Sequence, residues 1–117
     1  MSNDLRCPLG DCRVIEVTSI AADKDKMDVE AVEDALGFWA DDVDVSEDDT
    51  GELVVKAPLV QVDKAAVAIT AGEAAYYDSG NDVFTNVVGS NRKCGYFAGD
   101  AALAAATAVI WFDGYGS

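Results

Sequence analysis

Two Asp-Ser/Thr-Gly triplets are the residues of this chain that could together form a catalytic site. They are Asp49-Thr50-Gly51 and Asp78-Ser79-Gly80, and a pair of such triplets is how aspartic proteases make two carboxylates share one proton. A protease aspartate of this kind follows a buried apolar strand. Asp49 instead stands among acids in "SEDDTGE", and Asp78 precedes a turn. These flanks favour ordinary turns over a catalytic pair.

Other catalytic and metal-binding constellations lack their usual residues. The chain contains no histidine, which removes Ser-His-Asp and Cys-His catalysis and most catalytic zinc or iron sites. Zinc held by Cys7, Cys12 and Cys94 would need a carboxylate as its fourth ligand. Because three is an odd number of cysteines and a cytoplasm is reducing, we expect free thiols. The acidic segment "DDVDVSEDDTGE" lacks the EF-hand order of ligands, although a weak cation site there stays an alternative. We therefore predict no enzyme activity and no cofactor.

The charge of the chain excludes further classes of partner. The 117 residues carry 22 acids and 8 bases, a net charge of −14, and residues 1–57 hold 16 of the acids and 5 of the bases. Such a surface repels phosphate backbones and anionic lipid but can meet a basic partner. The sequence also lacks an apolar run of about 18 residues and a secretory signal. We expect no contact with nucleic acid or membrane, and a protein made in a cytoplasm.

The predicted structural elements of the chain begin with an N-terminal arm. Residues 1–12 mix polar residues with Pro8 and Gly10, which predicts an extended arm able to hold a neighbouring chain. Residues 13–117 have the length and apolar content of a single β domain. Its first predicted strand is the β-branched, alternating segment Cys12–Ile20.

The segment "MDVEAVEDALGFWA" has two interpretations. Its apolar residues at spacings near 3.6 could form one stripe of a helix; they are Val29, Val32, Leu36 and Trp39. The alternative is a pair of strands, Met27–Val32 and Ala35–Ala40, separated at Glu33-Asp34. Gly37 and the bulky pair that follows it fit a sheet better than a helix interior.

The second half of the chain is predicted to contain further strands. A β-hairpin is indicated around Ser79-Gly80-Asn81, where glycine and asparagine tolerate positive φ. Asp100–Ala106 is predicted to be a loop or a single helical turn. Pro58 marks an edge or a bulge in its strand. The other predicted strands are Leu53–Val62, Ala65–Thr70 and Ala108–Asp113.

A repeated phrase suggests how these strands are organised. "LGFWADDV" (36–43) and "CGYFAGDA" (94–101) share a glycine followed by two aromatic residues. Each phrase is predicted to be a strand that is followed by a loop and then by a β-branched strand. We predict an all-β fold, a small β-barrel or β-sandwich built from two related β-units, about 27–57 and 74–114. In each unit the glycine permits a bulge or close backbone approach while the rings cover the interior.

The order of several short motifs resembles a known family. They are Gly72-Glu73, Tyr76-Tyr77-Asp78, Phe84-Thr85 and Cys94-Gly95-Tyr96. From about Val14 to Gly114 the chain resembles the small capsid-decorating, or cement, proteins of tailed bacteriophages. This resemblance implies a structural protein without catalysis, located in the virion on the outer capsid surface. Its partner would be the major capsid protein, and it would form a homo-oligomer, a trimer or alternatively a dimer.

The resemblance also leads to predicted docking residues. The arm Met1–Cys12 and the loop Asp41–Glu52 are expected to face the shell or neighbouring subunits, and aromatic residues in paired strands belong to a core or an interface. The predicted interface residues are Leu5, Cys7, Pro8, Leu9, Trp39, Asp41, Asp42 and Trp111. An acidic DNA mimic, which presents carboxylates in place of phosphates to a basic nucleic-acid-binding protein, is the alternative hypothesis.

Overall fold

The computed structural model describes residues 3–5 and 12–114, and in these ranges every regular element is a strand. The strands are β1 (Asp4–Leu5), β2 (Arg13–Val17), β3 (Val29–Val32), β4 (Ala35–Trp39), β5 (Gly51–Asp63), β6 (Ala74–Asp78), β7 (Val83–Thr85), β8 (Arg92–Phe97) and β9 (Thr107–Asp113).

The strands form one antiparallel sheet that curls into a half-barrel, which confirms the all-β prediction. The order along the sheet is β3-β4-β5-β9-β8-β6-β7, and β1 and β2 also pair with β5. Gly114 N donates to Val55 O at 2.6 Å, and Leu36 N donates to Gly114 O at 3.2 Å. This link places β4 and β9 end to end on one edge of β5, so that β1 and β2 occupy its other edge. The long strand β5 therefore joins both halves of the molecule.

The ambiguous segment forms two strands, so the helix interpretation is wrong. β3 and β4 pair from Val29 with Phe38 to Val32 with Ala35. The turn between them has Glu33 at φ 53, the left-handed conformation that two-residue hairpin turns require. Glycine and two aromatic residues on one strand favour this arrangement over a helix.

Other local predictions have mixed outcomes. Pro58 lies in a bulge of β5, where the pairing with β9 shifts between Ala57 and Val60. The hairpin β6-β7 is present, and residues 100–106 form a loop.

The predicted strand Ala65–Thr70 is wrong, because the chain there makes only isolated bridges at Lys64 and Ile69. Its alanines have low strand propensity and offer little surface for cross-strand packing.

The core consists of two clusters on opposite faces of the sheet. The inner cluster fills the half-barrel and includes Leu36, Phe38, Val54, Phe84, Cys94, Phe97, Ile110 and Phe112. The outer cluster contains Ile20, Ala35, Trp39, Val43, Leu53 and Val55. Neighbouring residues of β4 and β5 alternate between the two clusters, as the period of two in a strand requires. The outer cluster is covered by residues from the segments that precede β3 and β5.

The two glycine-aromatic phrases place their rings differently. Phe38 lies in the inner cluster, and Trp39 lies in the outer one. In the second phrase Phe97 is in the inner cluster, whereas Tyr96 is 47% exposed. The expectation that the rings cover the interior is therefore wrong for Tyr96. Tyr96 faces outward because β8 contains a β-bulge next to Gly95.

A β-bulge in β8 shifts which residues face inward. Ala75 pairs with Gly95 and Tyr76 pairs with Lys93, so Cys94 is the extra residue. Gly95 has φ 136, and a Cβ there would lie 1.8 Å from the carbonyl oxygen of Trp111. Only glycine tolerates both conditions.

Candidate docking surfaces

The aspartates of the two triplets make turn contacts rather than a shared site. The Asp78 carboxylate accepts hydrogen bonds from Gly80 N at 3.1 Å and from Asn81 Nδ2 at 2.8 Å. Asp49 is exposed. In the described ranges no group of three or more His, Cys, Asp or Glu side chains is arranged to hold a metal ion.

Cys94 is a buried thiol with no catalytic neighbour in its contacts. Its Sγ donates to Ala75 O at 3.6 Å. Burial raises the pKa of Cys94 to about 12, against a smaller lowering by the charge of Arg92. The thiol is therefore protonated at neutral pH, and a protonated thiol is a poor nucleophile.

The outer surface of β8 and β9 carries a stacked pair of aromatic rings, of which Tyr96 is exposed and Trp111 is partly buried. Tyr96 and Trp111 are opposite each other in the ladder, with ring centroids 5.4 Å apart and planes 6° from parallel. Lys56 Nζ lies 5.4 Å from the Trp111 ring and 3.8 Å from Asp113 Oδ2. We call Lys56, Tyr96, Trp111 and Asp113 the aromatic face. Large aromatic rings beside a cation are the side chains that protein interfaces favour.

Trp39 does not belong to any docking surface of the described structure. It is 1% exposed, and its Nε1 donates to Glu30 Oε1 at 3.1 Å. Lys24 Nζ lies 5.8 Å from its ring and 2.8 Å from the same Glu30 oxygen. The prediction that Trp39 contacts a partner is corrected by this burial, because the loops before β3 and β5 cover the ring.

Two acidic loops are held together beside the outer cluster. Lys24 N donates to Val43 O at 3.0 Å, and Val43 N donates back to Lys24 O at 2.8 Å. Asp23 Oδ1 accepts a hydrogen bond from Val45 N at 3.0 Å. Hydrogen bonds from Ser46 hold the pKa of the Asp44 carboxyl below its ordinary value. The exposed carboxylates of these loops, which we call the acidic surface, are Asp23, Asp25, Asp41, Asp42, Asp44, Glu47, Asp48 and Asp49.

A cleft of about 630 Å³ lies beside β3, between this strand and the ends of β6 and β8. We call it the β3 cleft. Val29, Ala31 and Leu36 line one side, and Tyr77 and Asp78 line the other. It opens where the half-barrel does not close.

The residues predicted for one interface lie in separate places. Asp41 and Asp42 belong to the acidic surface, Trp111 belongs to the aromatic face, and Leu5 lies in β1 opposite Val60. Cys7, Pro8 and Leu9 lie outside the described residues. The sequence interpretation missed Tyr96, Lys56 and the β3 cleft. The sequence carries no signal for Tyr96, because Val109, Ile110, Trp111 and Phe112 are all apolar and do not show which face of β9 is inward.

No family model, curated protein or solved structure matches the chain. The described ranges contain no helix with the length and apolar character that crossing a membrane requires.

Proposed function

We propose that this protein is a structural decoration, or cement, protein of a tailed-phage head. It binds the major capsid protein on the outside of the assembled shell and stabilises the shell without catalysis. The observation that carries the proposal is the aromatic face, a stacked pair of exposed Tyr96 and partly buried Trp111 on a sheet whose corresponding surface in the first unit is covered. Solvent-facing stacked rings on a small domain are a surface suited to another protein.

Mass action explains how such binding would stabilise a shell. A protein that binds only the assembled state stabilises it by about 4 kcal/mol per site when its free concentration is a thousandfold above its dissociation constant. Association as a homotrimer, or alternatively a homodimer, would raise the effective concentration of each further binding site. The acidic surface and the N-terminal arm are the other contacts that we propose with the shell or with neighbouring subunits.

Sedimentation with expanded empty shells tests this function. The wild-type protein is expected to sediment with the shells at a fixed ratio to the major capsid protein. The double variant Tyr96→Ala with Trp111→Ala is expected to remain in the supernatant. Leu103→Ala is the matched control, because it removes an exposed apolar side chain from a loop. Equal binding by all three proteins would refute the role of the aromatic face, and failure of the wild type to bind would refute the proposed function.

Deletion of residues 1–12 tests the arm separately. We expect the deletion to weaken sedimentation with shells, provided that the shortened protein keeps the thermal unfolding transition of the full chain. If the folded deletion variant bound shells as well as the full chain does, the proposed contact of the arm with the shell would be wrong.

The acidic surface supports an acidic DNA mimic as the second candidate function. Its loops present eight exposed carboxylates and one exposed lysine, Lys26, while the nearby Lys24 ammonium is directed to Glu30. Binding of this kind would depend on exposed charges and would fall steeply with added salt. Binding to shells that persists in high salt favours decoration. Binding to a basic DNA-binding protein that disappears in high salt favours the mimic.

A further inference from the structure

The two terminal strands of the sheet differ in how their outer edges are covered. At β7, Ala65 N donates to Phe84 O at 2.9 Å, and Lys64 forms a parallel bridge to Phe84. At β3, the described residues form backbone hydrogen bonds only with β4. An uncovered strand edge is a template for another extended chain, and proteins ordinarily block such edges.

The ladder with β4 determines which backbone groups of β3 are open. Asp28 O accepts a hydrogen bond from Trp39 N at 3.0 Å, so this carbonyl points toward β4, while Asp28 N donates to Asp25 O at 3.1 Å. At the other end of β3, Val32 pairs with Ala35 across the two-residue turn, so its backbone groups also face β4. Successive residues of an antiparallel strand direct these groups to alternate sides. Val29 and Ala31 therefore direct their N–H and C=O groups away from β4, into the β3 cleft that they border.

The side chains around this edge form an apolar floor. Val29 packs against the inner cluster, and Ala31 on the same side of the strand is exposed. Leu36 and Tyr77 continue the floor on either side of the cleft. An added strand with alternating side chains would place one set on this floor and the other set at the rim.

The rim of the cleft is negatively charged. Asp78 lines it, and Asp82 accepts a hydrogen bond from Tyr77 OH at 2.7 Å. Partial burial raises the pKa of Asp28, and repulsion from Asp25 and Asp82 raises it further, which indicates that these acids share one neighbourhood.

Two cations of the described residues near the cleft, Arg92 and Lys24, have partners. The Arg92 guanidinium donates to the backbone oxygens of Asp34 and Gly114. Lys24 forms an ion pair with Glu30. Arg92 lines the cleft and keeps its charge, since its partners are neutral carbonyls, but the carboxylates of Asp28, Asp78 and Asp82 outnumber it there. A basic ligand would therefore meet an excess of negative charge.

We propose that the β3 cleft binds an extended, basic segment of another protein, which adds to the sheet as a strand beside β3. Its backbone bonds to Val29 and Ala31, its apolar side chains cover the floor, and its Lys or Arg side chains meet the rim. This proposal does not depend on the decoration function, since the partner is defined by its strand-forming, basic character.

Synthetic peptides provide the probe for this site. An eight-residue peptide of alternating Lys and Val is expected to bind the full-length protein in isothermal titration calorimetry. An alternating Glu-Val peptide tests the charge of the rim. Two Lys-Val peptides, methylated on the backbone nitrogens of either the Lys or the Val residues, test the strand hydrogen bonds. We expect at least tenfold weaker binding for the Glu-Val peptide and for one methylated version. Absence of binding by the Lys-Val peptide, or equal binding by all four, would overturn the proposal.

A substitution on β3 tests the position of the bound strand. Ala31→Pro removes an N–H group that faces the cleft and leaves the ladder with β4 intact, because an edge strand tolerates proline there. Ala31→Val is the matched control that retains the N–H group. We expect Ala31→Pro to weaken Lys-Val peptide binding about tenfold and Ala31→Val to change it less than threefold.

Hydrogen exchange of the wild-type protein gives a readout that needs no variant. Addition of the Lys-Val peptide should slow exchange of the Val29 and Ala31 amides, since both would become hydrogen-bonded. The amide of the exposed loop residue Leu103 serves as an internal reference. Peptide binding without protection of Val29 and Ala31 would place the peptide elsewhere and overturn the proposal.

Discussion

The two glycine-aromatic phrases occupy corresponding strands of the sheet, yet they bury different rings. On β4 the first aromatic residue, Phe38, faces the inner cluster, and the second, Trp39, faces outward. On β8 the order is reversed, with Tyr96 outside and Phe97 inside. One extra residue in β8 accounts for the reversal, because a shift of one position exchanges the two faces of a strand.

This difference leaves the two halves of the sheet with different outer surfaces. Around Trp39 the acidic loops add a second core cluster. In the other half, the described residues leave Tyr96 exposed and Trp111 partly exposed. A short repeated phrase therefore specifies a strand and its close approach to a neighbour, while the φ angle of a single glycine decides which ring becomes available for binding.

Alanine in place of the two phrase glycines should have the largest effect. Gly95→Ala combines φ 136 with a Cβ 1.8 Å from Trp111 O, so we expect a loss of about 4 kcal/mol or more in the free energy of unfolding. Gly37→Ala would meet Leu53 Cγ and Val54 O at 2.6 Å without a positive φ, and we expect a loss of about 2–3 kcal/mol. Urea denaturation measures both.

Gly99→Ala is the control for these variants, because a Cβ there has no heavy atom within 4 Å. Its free energy of unfolding should stay within about 0.5 kcal/mol of the wild type. If Gly95→Ala were no less stable than Gly99→Ala, the bulge would not be the cause of the reversed rings.

The two tryptophans should differ in their contribution to stability. Trp39→Ala empties a buried position and should lower the free energy of unfolding by about 3–5 kcal/mol. Trp111→Ala removes one ring of an open stacked pair and should lower it by about 1–2 kcal/mol. Chemical denaturation followed by circular dichroism provides the comparison, and equal losses would contradict the difference between the covered and the open surfaces.

Cys94 and Leu36 occupy matching positions in the two phrases, but only the thiol can titrate. The unfolded thiol ionises near its ordinary pKa of 9.0, whereas the folded one keeps its proton up to about pH 12. The contribution of this thiol to the free energy of unfolding is therefore fully present below pH 9. It is lost as the pH rises toward 12, by at most about 1.4 kcal/mol per pH unit.

Urea denaturation between pH 8 and about pH 10 tests this effect, because Cys94→Ala should show a smaller decline than the wild type. Tyr77 contributes in the same direction in both proteins, since burial and its hydrogen bond to Asp82 raise its pKa. Parallel pH profiles for the two proteins would contradict the assignment to Cys94.

The lysines beside the two tryptophans should have the smallest effects. Lys24→Ala breaks a 2.8 Å ion pair with Glu30 on a partly buried surface, and we expect a loss of about 1 kcal/mol. Lys56→Ala alters a more exposed contact with Asp113 at 3.8 Å, and we expect at most about 0.5 kcal/mol. Thermal denaturation in low and high salt measures both, and a larger effect at Lys56 would reverse the expected order.

The sequence predicted the features that depend on local chemistry. Alternating β-branched residues identify β2, turn residues identify the hairpin β6-β7, and Pro58 identifies the bulge of β5. The faces of Trp39 and Tyr96 could not be predicted, because they depend on the pairing of β8 with β6 and on loops that fold over β4. The β3 cleft was also missed, since it arises from the curl of the whole sheet and from the ends of β6 and β8.

The shared strand β5 has a consequence for how quickly the chain can fold. Its ladder with β9 joins residues as far apart as Lys56 and Asp113, and its ladder with β1 joins Asp4 to Gln61. Such distant pairings require large loops to close before any hydrogen bond forms, and sheets of this kind fold in milliseconds to seconds. During synthesis the first unit must wait for β9 to leave the ribosome, and until then the edge that β9 will occupy is exposed to aggregation.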